Sequence, residues 1–123
     1  MALIGRTAKV LVVEDDESVR RTLVVALSMA NFRVVEASTG VAALAVLERN
    51  DPDAVVVDLR LPDRQGGAVL QRLRSQSGLA WVAISALDRQ EAEKEYGPLG
   101  SNFLTKPFDP WDLIRKLGEL LQR

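Results

Sequence analysis

The side chains of this sequence that are able to do chemistry stand at the ends of apolar runs. Glu14, Asp15 and Asp16 follow Val10-Leu11-Val12-Val13. Asp58 follows Ala54-Val55-Val56-Val57, Ser85 follows Trp81-Val82-Ala83-Ile84, and Lys106 follows Phe103-Leu104-Thr105. Brought together, these residues would make a carboxylate cluster with one hydroxyl and one ammonium. Close carboxylates repel and stay ionised only when cations compensate them. Lys106 supplies one positive charge, and Mg2+, which takes a few carboxylates and keeps several waters, would supply the rest. A carboxylate beside a divalent cation, a lysine and a hydroxyl is equipment for phosphoryl transfer. The cations neutralise the transferring oxygens while the carboxylate attacks phosphorus.

Composition narrows the alternatives. The 123 residues contain no histidine and no cysteine, which removes the commonest general base, the thiolate nucleophile and the usual ligands of zinc, copper and iron. A resident metal must therefore be a hard cation held by oxygen. A net charge of −1 argues against direct nucleic-acid binding. No apolar stretch has the length of a membrane span, so neither insertion nor a secreted, disulfide-stapled fold is expected. A cytoplasmic location is the expectation.

The convergence depends on the elements that carry these residues. Lys9-Val13, Arg33-Ala37, the run ending at Asp58, Trp81-Ser85 and Asn102-Thr105 read as strands. The run before Asp58 has no polar alternation, the signature of a strand buried on both faces. Between the strands the apolar period becomes helical. A first helix runs from Ser18, with Val19, Leu23, Ala26, Leu27 and Ala30 on one side, and Asn31 closes it. A second spans Val41 to Arg49 and a third starts at Gly66-Gly67. A fourth, short helix opens on Asp88-Arg89-Gln90-Glu91, which has capping-box spacing, and is stopped by Gly97-Pro98. A fifth is capped by Asp109, with Pro110 at its first position and Leu113, Leu117, Leu120 and Leu121 facing inward. Asp16 reads as the N-cap of the first helix rather than as a site residue. The pattern is (βα)5, an α/β fold with one doubly wound parallel sheet, and its C-terminal strand edge is where ligands bind. Residues 1–8 read as a flexible leader and residues 9–123 as the single domain.

Four segments together resemble the receiver domains of two-component response regulators: Val12-Val13-Glu14-Asp15-Asp16-Glu17, Val57-Asp58-Leu59-Arg60-Leu61-Pro62-Asp63, Ile84-Ser85-Ala86 and Leu104-Thr105-Lys106-Pro107-Phe108. They occur in that family's order and near its usual spacing. The resemblance implies a flavodoxin-like five-stranded sheet in the order 2-1-3-4-5. It implies that Asp58 is the phosphoacceptor, taking a phosphoryl group from a sensor histidine kinase or a phosphotransfer protein. Glu14, Asp15, Asp58 and the backbone carbonyl of Arg60 would hold Mg2+, or Mn2+ in its place, with Glu14 reaching it mainly through water. Ser85 and Lys106 would contact the phosphoryl oxygens, and Phe103 would be the aromatic switch that turns inward when Ser85 moves. The helix 4–strand 5–helix 5 surface would report to a downstream protein or a covalently linked output domain, and a phosphorylation-dependent homodimer stays open. Glu14 and Phe103 depart from the family's commoner aspartate and tyrosine, and Ser101-Asn102 stands where many DNA-binding members carry a paired acid. The Arg60 guanidinium is expected to hang over the phosphoryl group. The competing reading is a pseudo-receiver, an interaction module with the same fold that is never phosphorylated.

Overall fold

The computed structural model describes residues 7–49 and 51–122. Strands and helices alternate along the chain: β1 (Lys9–Val13), α1 (Glu17–Met29), β2 (Arg33–Ala37), α2 (Gly40–Glu48), β3 (Ala54–Asp58), α3 (Gly66–Ser75), β4 (Ala80–Ser85), α4 (Arg89–Tyr96), β5 (Phe103–Thr105) and α5 (Pro110–Leu121). The strands form one sheet in the order β2-β1-β3-β4-β5, and all pairs are parallel. The doubly wound α/β expectation and its strand order hold.

The central strands are buried on both faces, as their unbroken apolar runs require. In β1, Val10 and Val12 belong to the core under α1 and α5, while Leu11 and Val13 belong to the core under α2 and α3. The register carries the same division into β3, where Val10 pairs with Ala54 and Leu11 with Val55. Leu23 and Leu27 of α1, with Leu113 and Leu117 of α5, close one face; Val46 and Leu47 of α2, with Leu70 and Leu73 of α3, close the other. Leu120 and Leu121, expected in the buried face of α5, are only partly buried.

Caps set the helix ends where the sequence places them. The Asp16 carboxylate accepts from Val19 N–H at 3.0 Å. Asp88 and Glu91 form the reciprocal box, at 2.8 Å from Glu91 N–H and 3.3 Å from Asp88 N–H. Asp109 accepts from Trp111 N–H at 2.9 Å. Asn31 closes α1 at φ 70°, and Gly97 closes α4 at φ 85°, both in the left-handed region. Several boundaries move by one residue: α1 begins at Glu17, α2 at Gly40, β4 at Ala80 and β5 at Phe103. Asn102 precedes β5 but still serves it, because its carbonyl accepts from Ala83 N–H at 2.8 Å.

The leader expected over residues 1–8 lies, for residues 1–6, outside the described residues. Ala8 is buried, and its carbonyl accepts from Arg33 N–H at 2.9 Å. No helix among the described residues is long and apolar enough to cross a membrane.

Candidate functional site at the carboxyl edge of the sheet

Adjacent strands β1 and β3 place Glu14, just past the end of β1, beside Asp58, the last residue of β3. Asp58 is 4% exposed and Glu14 is fully buried. Two carboxylates so placed need a shared cation, and Lys106, entering from the end of β5, supplies it. Its Nζ donates to Asp58 Oδ2 and to Glu14 Oε1, each at 2.8 Å. The remaining carboxylate oxygens have backbone donors. Arg60 N–H reaches Asp58 Oδ1 at 3.0 Å, and Asp16 N–H reaches Glu14 Oε2 at 3.1 Å. Lys106 is itself anchored, its backbone N–H donating to the Ser85 carbonyl at 2.7 Å.

The electrostatics follow from burial. Desolvation pushes the Glu14 carboxyl up to about 7; the hydrogen bond from Lys106 pulls against this, and the nearby Asp58 charge adds to it. Burial works against the Lys106 charge, but its bonds to Asp58 and Glu14 prevail and raise its pKa above the ordinary lysine value.

Glu14, Asp15 and Asp58 each offer one oxygen, and these oxygens lie within 4.8 Å of one another. Asp15 is the exposed member of the three and opens the cluster to solvent. An all-oxygen donor set with one solvent-facing ligand fits a hard, partly hydrated cation such as Mg2+ or Mn2+, and no softer metal.

The other expected site residues are placed as follows. Ser85 is fully buried at the end of β4, and its Oγ accepts from Leu87 N–H at 3.1 Å, a local turn contact. The Phe103 ring is 4% exposed within the core, with the Arg89 guanidinium 5.5 Å from its centroid, so this aromatic already stands inward. The Arg60 backbone is at the site, but its guanidinium points across to α4 and pairs with Glu95 at 3.6 Å. The expectation of a guanidinium over the phosphoryl group concerns the phosphorylated state; here the guanidinium is engaged with Glu95 instead.

Three features escaped the sequence reading. Asp63 caps α2 from a distance, accepting from Gly40 N–H at 3.1 Å and Val41 N–H at 3.0 Å. Tyr96, at the end of α4, donates its hydroxyl to the Leu59 carbonyl at 3.1 Å. Gly66 lies so close to that carbonyl that a Cβ there would stand 2.1 Å from its oxygen. A cleft of about 670 Å³, lined by Asp15, Arg60, Glu95 and Tyr96 among others, opens along the loop that follows Asp58.

Comparison with known proteins gives a consistent result. Residues 10–118 match the model of the response regulator receiver domain. The probable transcriptional regulator ycf27 of Cyanophora paradoxa is 37% identical over 117 residues, covering 94% of this chain and 48% of that protein. The receiver domain of Francisella response regulator 1452 superimposes with a TM-score of 0.81 at 30% identity, covering 95% of this chain and 98% of that one. A response regulator receiver protein from Sinorhizobium medicae superimposes with a TM-score of 0.84 at 27% identity, covering 95% and 96%. The chain spans about half the length of the curated relatives it matches.

Proposed function

Because the chain belongs to the response regulator receiver domain family, we propose that it is a phosphorylation switch whose acceptor is Asp58. The observation that carries this reading is the Lys106 ammonium bridging Asp58 and Glu14 at 2.8 Å each, beside Asp15 at the carboxyl edge of the sheet. An Asp58 carboxylate oxygen attacks the phosphorus of a phosphohistidine on a sensor kinase or a phosphotransfer protein. The phosphorus–nitrogen bond breaks, and its electron pair stays on the imidazole nitrogen, which takes up a proton. The product is an acyl phosphate on Asp58; water later attacks its phosphorus, restoring the carboxylate and releasing inorganic phosphate. The chain thus catalyses only its own phosphorylation and dephosphorylation and turns over no separate metabolite.

Glu14, Asp15, Asp58 and the backbone carbonyl of Arg60 are the groups that would hold Mg2+, which when bound neutralises charge on the phosphoryl oxygens. Lys106, already bonded to Asp58, would neutralise part of the same charge. The Arg60 N–H, already directed at Asp58, adds a fixed dipole. Ser85, at the neighbouring strand end, would exchange its contact with Leu87 for a phosphoryl oxygen. The α4–β5–α5 face would carry the change outward. Since relatives of twice this length include proteins named as transcriptional regulators, the recipient is a linked output segment or a separate protein in the cytoplasm, with no nucleic-acid contact by the receiver itself.

Intact mass after incubation with Mg2+ and acetyl phosphate tests the reading. A gain of one phosphoryl group in the wild type, absent in Asp58→Asn and abolished by EDTA, is the expected result. No gain from either acetyl phosphate or a phosphorylated histidine donor would overturn it and leave an interaction module that is not phosphorylated.

A further inference from the structure

The Leu59 carbonyl and the Arg60 N–H are the two ends of one peptide group. The N–H end donates to Asp58 Oδ1 at 3.0 Å. The carbonyl end accepts from the Tyr96 hydroxyl at 3.1 Å, across 37 positions of sequence. A continuous chain of hydrogen bonds therefore runs from a phenol on α4, through one peptide plane, to the acceptor carboxylate. Gly66 confines the same carbonyl from a second direction, since a Cβ there would stand 2.1 Å from the oxygen. The peptide plane is thus fixed by a donor on one side and by close backbone packing on the other.

We propose that Tyr96 is a positioning residue for phosphoryl transfer: its hydroxyl holds the Leu59–Arg60 peptide in the orientation that aims the Arg60 N–H at Asp58. This rests on the phosphorylation of Asp58 proposed above. A rotated peptide would carry the N–H away from the carboxylate and from the phosphoryl oxygens that gather negative charge as the new bond forms. Preorganised donors act because they need no reorientation during the reaction. Hydrogen bonds in series also polarise one another, so the phenol strengthens the dipole of the amide it holds.

Two observations equip Tyr96 for this. Burial, with the Glu95 carboxylate adding, pushes its phenol up to about 12, so the hydroxyl stays a donor at neutral pH. Its own backbone is held from α3, where Arg74 donates to the Tyr96 carbonyl at 2.8 Å and also to the Pro98 carbonyl. The aromatic that reaches the site thus comes from α4. Phe103 on β5 has no hydroxyl to offer and sits in the core.

The test uses Tyr96→Phe, which keeps the ring and removes only the donor. The readouts are the rate of acetyl phosphate labelling at saturating Mg2+, the Mg2+ half-saturation, and the amide resonance of Arg60 without a phosphodonor. The maximum rate is expected to fall about fivefold, the ratio one hydrogen bond of ordinary net strength represents. The Mg2+ half-saturation stays unchanged, and the Arg60 amide proton moves upfield. Lys94→Gln, an exposed change on α4 that leaves the phenol and its neighbours in place, keeps the wild-type rate. An unchanged rate and amide resonance in Tyr96→Phe would overturn the proposal, as would an equal loss in Lys94→Gln, which would trace the effect to α4 as a whole rather than to the phenol. A wild-type protein that takes no phosphoryl group would overturn the function itself, and this role with it.

Discussion

Replacing Lys106 with alanine removes the one cation that the structure places between two carboxylates, and the consequences can be worked through. Glu14 is fully buried and Asp58 is 4% exposed, so neither recovers much hydration when the ammonium leaves. Breaking a buried pair by removing one partner costs roughly 3–5 kcal/mol. The Lys106 side chain is 24% exposed, which brings the expectation down to about 2–3 kcal/mol. The loss has a pH signature. Glu14 already stands at about 7, well above the ordinary carboxylate range, because of burial. In the wild type, the folded state holds a proton that the unfolded state has lost, so stability falls as pH rises through this window and levels off above 7. Losing the Lys106 hydrogen bond removes a downward pull on Glu14 and carries its pKa higher. The variant therefore keeps losing stability above pH 7, at up to about 1.4 kcal/mol per pH unit for one proton. Urea unfolding of both proteins at pH 6, 7 and 8 in EDTA measures this. A variant as stable as the wild type, or one whose deficit does not grow from pH 7 to pH 8, would refute the shared-cation account.

Other perturbations probe the same architecture at separate points. Gly66→Ala drives a methyl group into the Leu59 carbonyl and should cost about 1–3 kcal/mol in urea unfolding. A full-stability variant would mean that the loop after β3 yields freely. Asp88→Ala removes the capping box of α4 and should cost about 1 kcal/mol. The Asp88→Ala effect is read from unfolding and from amide exchange in α4, and unaltered exchange would contradict it. Mg2+ binding at pH 7 should release protons, because the Glu14 carboxyl at about 7 must give up its remaining proton near the cation. Calorimetry in two buffers of different ionisation enthalpy detects that release, and identical heats would count against Glu14 as a participant.

The fold was legible because its punctuation is local. Ala54–Val57 read as a strand buried on both faces and Lys9–Val13 as another strand, and the acids that follow them stand at one edge of a parallel sheet. Asp16, Asp88 and Asp109 announced their helices through side chains that act within three residues. The strand order came from family resemblance, since apolar runs look alike in any order. Contacts that depend on the paths of loops were not legible. Lys106 meets Glu14 across 92 positions, and nothing local to either residue reveals that Glu14 is fully buried. Arg60 was placed by its distance in sequence from Asp58, but its side chain meets Glu95 near the end of α4, a neighbour that nothing close to Arg60 in sequence announces. The Tyr96 contact with Leu59 has the same origin, since it depends on where an eight-residue helix ends in space.

The central claim is that Asp58 itself becomes the acyl phosphate. Borohydride reduction of the phosphorylated protein converts an aspartyl phosphate to homoserine, and peptide mass mapping then locates the converted residue. Homoserine is expected at position 58 in the sample treated with acetyl phosphate and Mg2+, and none when EDTA is present. Conversion at Asp15 or Asp16 instead, or labelling that survives in Asp58→Asn at the wild-type level, would contradict it.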